Sequence, residues 1–102
     1  SPGVTLANLL NGAGASVNAY DPKAMQEAAH DLVSEVNLTD TLNDCLTACD
    51  AVVVSTDWPE FTDLSAADYA ELTDARIILD AVNALPKDDL LSAGFRYIGI
   101  GR

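Results

Sequence analysis

Ala51-Val52-Val53-Val54-Ser55, running straight into Thr56-Asp57-Trp58-Pro59-Glu60-Phe61, is the stretch on which the fold turns. Its core is continuously apolar and β-branched, with no polar alternation. A strand of that kind suits a parallel sheet covered on both faces. Arg76-Ile77-Ile78-Leu79-Asp80 repeats the pattern. Between the two, Ser65-Ala66-Ala67-Asp68 resembles a capping box, with Asp in place of the usual Glu, and opens a helix to about Leu72. Downstream, Pro86 to Ala93 reads as a short helix ended by Gly94, and Phe95-Arg96-Tyr97-Ile98 as a last strand.

Upstream the alternation continues. Thr39 or Asp40 can cap a helix to about Ala48. Val36 and Leu38 mark a short edge strand, residues 23–30 a weaker helix, and Ser16-Val17-Asn18-Ala19-Tyr20 a strand ended by Asp21-Pro22. Val4, Leu6, Leu9 and Leu10 form a helical stripe that Pro2 suits as a start and Asn11-Gly12-Ala13-Gly14 stops. Helices alternating with strands over short connections predict α/β architecture: an open parallel sheet with right-handed crossovers. No long linker, repeat or composition shift divides the chain, so residues 1–102 are expected to be a single domain. Doubly wound sheets usually begin with their central strand, whereas this chain opens with a helix. The first central strand is therefore expected upstream, missing from this chain, leaving a gap or a rearranged centre.

The chain has 102 residues, with 5 Lys and Arg against 16 Asp and Glu, a net charge of −11. Apolar residues make up 49%, enough to bury a core and to argue against disorder. Lys23, Arg76, Lys87, Arg96 and Arg102 are scattered, which argues against nucleic acid and against an anionic membrane as partners. No apolar run approaches the ~20 residues that cross a bilayer. No signal peptide is visible, although the chain begins abruptly and reads as a fragment. The acid has two explanations, a cationic partner or a solvating shell of the kind halophiles use, and its spread along the chain favours the shell. That leads to the expectation of a halophilic, cytoplasmic protein.

Cys45 and Cys49 do not form a CxxC pair, and His30 is the only histidine. The two thiols are expected to be small buried groups in a reducing compartment, with no metal site and no catalytic set of residues. Gly12-Ala13-Gly14 looks like the start of a dinucleotide fingerprint but follows a helix and precedes a strand, the reverse of what the pyrophosphate needs. It reads as a turn. No cofactor-binding residue is assigned within the chain.

Ligands in open α/β sheets bind outside the carboxyl ends of the strands. The loops there are Tyr20-Asp21-Pro22, residues 55–61, Asp80-Ala81-Val82-Asn83 and residues 99–102. The second is the richest: Trp58 offers a face for a base, and Ser55 or Thr56 a hydroxyl for a phosphate or sugar. The alternative is that Trp58 and Phe61 pack across the strand end while Asp57 caps a turn.

The same loops carry a resemblance. Tyr20-Asp21-Pro22, the Ser-Thr-Asp-Trp-Pro-Glu-Phe run at 55–61 and the terminal Gly94-Phe95-Arg96-Tyr97-Ile98-Gly99-Ile100-Gly101-Arg102 resemble the C-terminal UDP-binding domain of the UDP-glucose/GDP-mannose dehydrogenase family. Ser1-Pro2 is similar to the end of that family's Arg-x-Ser-Pro motif. The resemblance implies a Rossmann-like, three-layer fold. It also implies a cytoplasmic, NAD-dependent parent enzyme that oxidises the C6 hydroxyl of a nucleotide sugar to a carboxylate. The NAD site and the catalytic cysteine would lie in upstream domains, and neither Cys45 nor Cys49 matches that cysteine. The implied partners are a UDP-sugar, the upstream domains and a second copy in a homodimer. Implied substrate-binding residues are Ser55, Thr56, Asp57, Trp58, Asp80 and Asn83. Two family features are absent: the Phe-Lys pair after the first strand, and the Arg of Asp-x-Arg-Asn, where Val82 stands. The loss of that charged anchor leaves open a module that serves only assembly. A third reading is a receiver-like domain with Asp57 as phosphoacceptor, although no acidic pair accompanies it.

Overall fold

The computed structural model describes residues 2–101. Ser1 and Arg102, which end two of the motifs above, lie outside the described residues. The chain packs as two compact units, Ser1–Cys45 and Leu46–Arg102.

In the first unit, α1 (Pro2–Gly12) precedes β1 (Asn18–Ala19), α2 (Met25–Asp31) and β2 (Asn37–Leu38). β1 and β2 are parallel, Asn18 opposite Asn37 and Ala19 opposite Leu38. Gly14, at φ +100°, supplies the left-handed turn that ends the first helical segment. Gly12-Ala13-Gly14 is thus a turn, as its context dictates. The strand expected at 16–20 is trimmed to two residues. Asp21 turns the chain at its end, its carboxylate accepting the Lys23 and Ala24 N–H groups at 2.9 and 3.0 Å. Asn8 ties α1 to the segment after α2, accepting from Val33 N–H at 2.9 Å and donating to the Asp31 carbonyl at 3.2 Å. Ala7, Ala28 and Val36 are buried here.

α3 (Leu42–Leu46) leads into the second unit, and Ala48, left-handed at φ +56°, stops any continuation toward the expected end. There follow β3 (Val52–Val54), α4 (Pro59–Thr62), α5 (Ala66–Leu72), β4 (Ile77–Asp80), α6 (Lys87–Ser92) and β5 (Arg96–Gly99). The three strands form one parallel sheet in the order β3-β4-β5. α5 carries the complete capping box: Asp68 N–H donates to Ser65 Oγ at 3.1 Å and Ser65 N–H to Asp68 Oδ2 at 2.9 Å. Gly94, at φ +93°, ends α6. Arg76 closes the other end of α5, donating to the Thr73 and Ala75 carbonyls at 2.8 Å and lying over the Phe95 ring.

Two expectations need correction. The sequence implies strands covered on both faces, but only one face of this sheet is covered. Val52, Val54 and Ile78 are buried while Val53, Ile77 and Ile98 are exposed. Successive right-handed crossovers that step the same way across a sheet put their helices on the same side. The thiols are also half-buried rather than buried. Cys49 Sγ lies 3.3 Å from Thr73 Oγ1, and neither cysteine forms a disulfide. No helix among the described residues is long and apolar enough to cross a membrane.

Candidate functional site

Val54, Asp80 and Gly99 stand in one row across β3, β4 and β5. The segments that leave this row emerge side by side at the carboxyl end of the sheet, where an open α/β sheet binds its ligand. Each is pinned by one side chain.

The first segment holds Ser55, Thr56, Asp57 and Trp58. Ser55, Thr56 and Trp58 are half-buried and Asp57 is exposed. Trp58 occupies the N-cap of α4, its carbonyl accepting Phe61 N–H at 2.8 Å, and Pro59 follows at the first helical position. This short helix escapes a sequence reading because Asp-Trp-Pro signals only a turn. Phe61 is buried, as the packing alternative expects, whereas α4 has no side-chain cap and Asp57 supplies none. Tyr69, buried on α5, donates its hydroxyl to the Phe61 carbonyl at 2.6 Å and so anchors the segment. Burial, with the nearby charge of Asp80 adding to it, pushes the Tyr69 phenol up, and it stays protonated.

The second segment is held by Asp80, which is fully buried. Its carboxylate accepts from Tyr97 Oη at 2.6 Å, Leu85 N–H at 3.0 Å, and Val82 and Ala84 N–H at 3.3 Å. Burial pushes this carboxyl up, but the four donors outweigh it and leave its pKa below the usual carboxylate range. Asp80 is therefore turned inward and shapes residues 81–85 around an ionised group. Val82 is half-buried within that turn.

The third segment is fixed by Asn83. Its amide donates to the Ile100 carbonyl at 2.7 Å and accepts Ile100 N–H at 3.0 Å. The pairing needs Asn83 at φ +54°, a left-handed conformation that Asn tolerates better than most residues. Asn83 thus ties the turn after β4 to the turn after β5.

All six sequence-assigned residues lie in the second unit, at or just beyond one end of its sheet. Ser55, Thr56, Asp57 and Trp58 line the first segment, while Asp80 and Asn83 spend their side chains on the other two. Sequence reasoning missed Tyr69 and Tyr97. The signal for Tyr97 was its place in the final strand, whose register brings its phenol to Asp80.

The model of the UDP-glucose/GDP-mannose dehydrogenase family, UDP binding domain, matches residues 1–87. The chain belongs to this family. UDP-glucose 6-dehydrogenase YwqF of Bacillus subtilis (strain 168) is 32% identical over 102 residues, covering 100% of this chain and 23% of the relative. The UDP-glucose 6-dehydrogenase of Rhizobium meliloti (strain 1021) gives the same figures. A crystal structure of NDP-N-acetyl-D-galactosaminuronic acid dehydrogenase from Methanosarcina mazei Go1 superposes with a TM-score of 0.79 at 28% identity, over 99% of this chain and 20% of that one. The chain thus spans about a quarter of the length of the dehydrogenases it matches. Its α/β, Rossmann-like class agrees with both family and structural neighbour. The family match is to a UDP-binding domain, and the loops just described are where such a domain has room for a nucleotide.

Proposed function

We propose that this chain is the nucleotide-sugar-binding domain of a longer, NAD-dependent UDP-sugar 6-dehydrogenase. That parent, a cytoplasmic enzyme, oxidises the C6 hydroxyl of its substrate to a uronate. The observation that supports this reading most is the row Val54, Asp80 and Gly99, from which three pinned segments open at one end of a parallel sheet in a chain of the UDP-binding family. In this reading Trp58 stacks on the base and Ser55 and Thr56 bond the sugar or phosphate. Asp57 faces the solvent side of the ligand. Asp80 and Asn83 act as positioning residues.

The residues present do not fit NAD. The glycine pair at 12 and 14 closes a helix instead of opening one after a strand, so no backbone cradle for a pyrophosphate forms there. NAD and the reacting cysteine belong to the rest of the parent, and no hydride step is assigned to this chain.

Val82 favours one specific expectation. A family Arg at that position would give a charge-assisted contact to the nucleotide, among the stronger polar contacts available. Isothermal calorimetry of the parent polypeptide with UDP-glucose should give measurable heat, and Val82→Arg should tighten binding by about tenfold, the value of one such contact. No heat from either protein would sink the binding role and leave the assembly module as the better reading.

A further inference from the structure

The uncovered face of the three-stranded sheet forms an ordered apolar surface. Strand register puts Val53, Leu79 and Ile98 in one row, with Ile77 and Arg96 beside them on the same side. Val53 and Ile77 are each 39% exposed and Ile98 is 43% exposed. Val52, Val54 and Ile78, on the opposite face, are at most 6% exposed. The apolar row runs unbroken from β3 to β5, and Arg96 is its single charge. A parallel sheet in water ordinarily has both faces covered, and here the residue types suit a cover that residues 2–101 do not provide.

We infer that this face is an intramolecular docking surface, occupied in the parent polypeptide by the apolar stripe of one helix from outside residues 1–102, with a carboxylate set opposite Arg96. The inference rests on the proposal that the chain is one domain of a longer dehydrogenase. Three arguments select the occupant. First, the width fits: three strands at ~4.8 Å spacing span about 10 Å, the diameter of one helix. Second, four partly exposed side chains offer far less than the ~800 Å² per partner that a stable association between separate proteins covers. A tethered segment needs less, because its effective concentration is already high. Third, the chain makes up 23% of its relatives, so a parent of their length has ample polypeptide to supply the helix.

The test is photo-crosslinking in the parent polypeptide without nucleotide. A diazirine analogue of leucine replaces Ile98, and mass spectrometry locates the crosslink. The expected partner is a segment of the same chain outside residues 1–102, reached also by the same probe in place of Val53. The probe in place of Leu91, exposed on α6, should not reach it. Mixing isotopically heavy and light chains separates the sources, and crosslinks running only to a second copy would overturn the occupant. Crosslinks confined to residues 1–102, or solvent capture alone at both positions, would overturn the surface itself. UDP-glucose calorimetry on the unmodified parent keeps the two readings apart. Heat without the crosslink refutes docking and leaves nucleotide binding standing; the crosslink without heat does the reverse.

Discussion

Asp80 shows how a residue can be legible while its role is not. An acid directly after a buried strand looks the same in sequence whether it faces a ligand or turns inward. Only the register of β5, which carries Tyr97 to its carboxylate, decides the matter. Because the folded pKa of Asp80 lies below its unfolded value, near ~4, its stabilisation is complete above that value and is lost as pH falls through the folded one. Tyr97→Phe removes one of the donors that hold the carboxyl down. The variant should lose about 1–2 kcal/mol at neutral pH. Its acid-induced loss of stability, followed by urea unfolding across pH, should begin at higher pH than in the unaltered protein. An unshifted acid limb would show that Tyr97 does not hold the Asp80 charge.

At the scale of elements, the strands and helices of the second unit were the most legible. Val52-Val53-Val54 and Ile77-Ile78-Leu79 are apolar runs that turn signals bound, and Ser65 with Asp68 names its own helix start. Ser65→Ala should cost about 1 kcal/mol in thermal or urea unfolding, because both reciprocal cap bonds go. A loss near zero would mean that the cap forms without contributing. What sequence left hidden has physical causes. α4 begins at a proline after a tryptophan with no side-chain cap, so no start signal precedes it. β1 shrinks to two residues because its stretch is weakly apolar and its one recorded ladder is with the equally short β2. The bare face of the three-stranded sheet was invisible for a different reason. An apolar strand reports what it can bury, and says nothing of whether the neighbouring chain is there to cover it.

For the molecule as a whole, charge is the dominant feature. Sixteen acidic residues against five basic ones give −11, and self-repulsion on that scale weakens the compact state until salt screens it. The unfolding midpoint should therefore rise between low and molar potassium chloride, as the halophilic expectation requires. Equal midpoints would remove that expectation and leave the acid as ordinary solvation. The division into two units falls within α3, between Cys45 and Leu46, where composition does not change, so no linker signal announces it.

The central claim is that the three segments leaving the carboxyl end of β3, β4 and β5 receive the nucleotide. Amide chemical-shift mapping of the isotopically labelled chain, titrated with millimolar UDP, tests it most directly because it registers weak binding residue by residue. The account predicts shifts confined to Ser55–Trp58, Ala81–Leu85 and Gly99–Gly101. Shifts clustered elsewhere, or none at all up to saturating UDP, would contradict it.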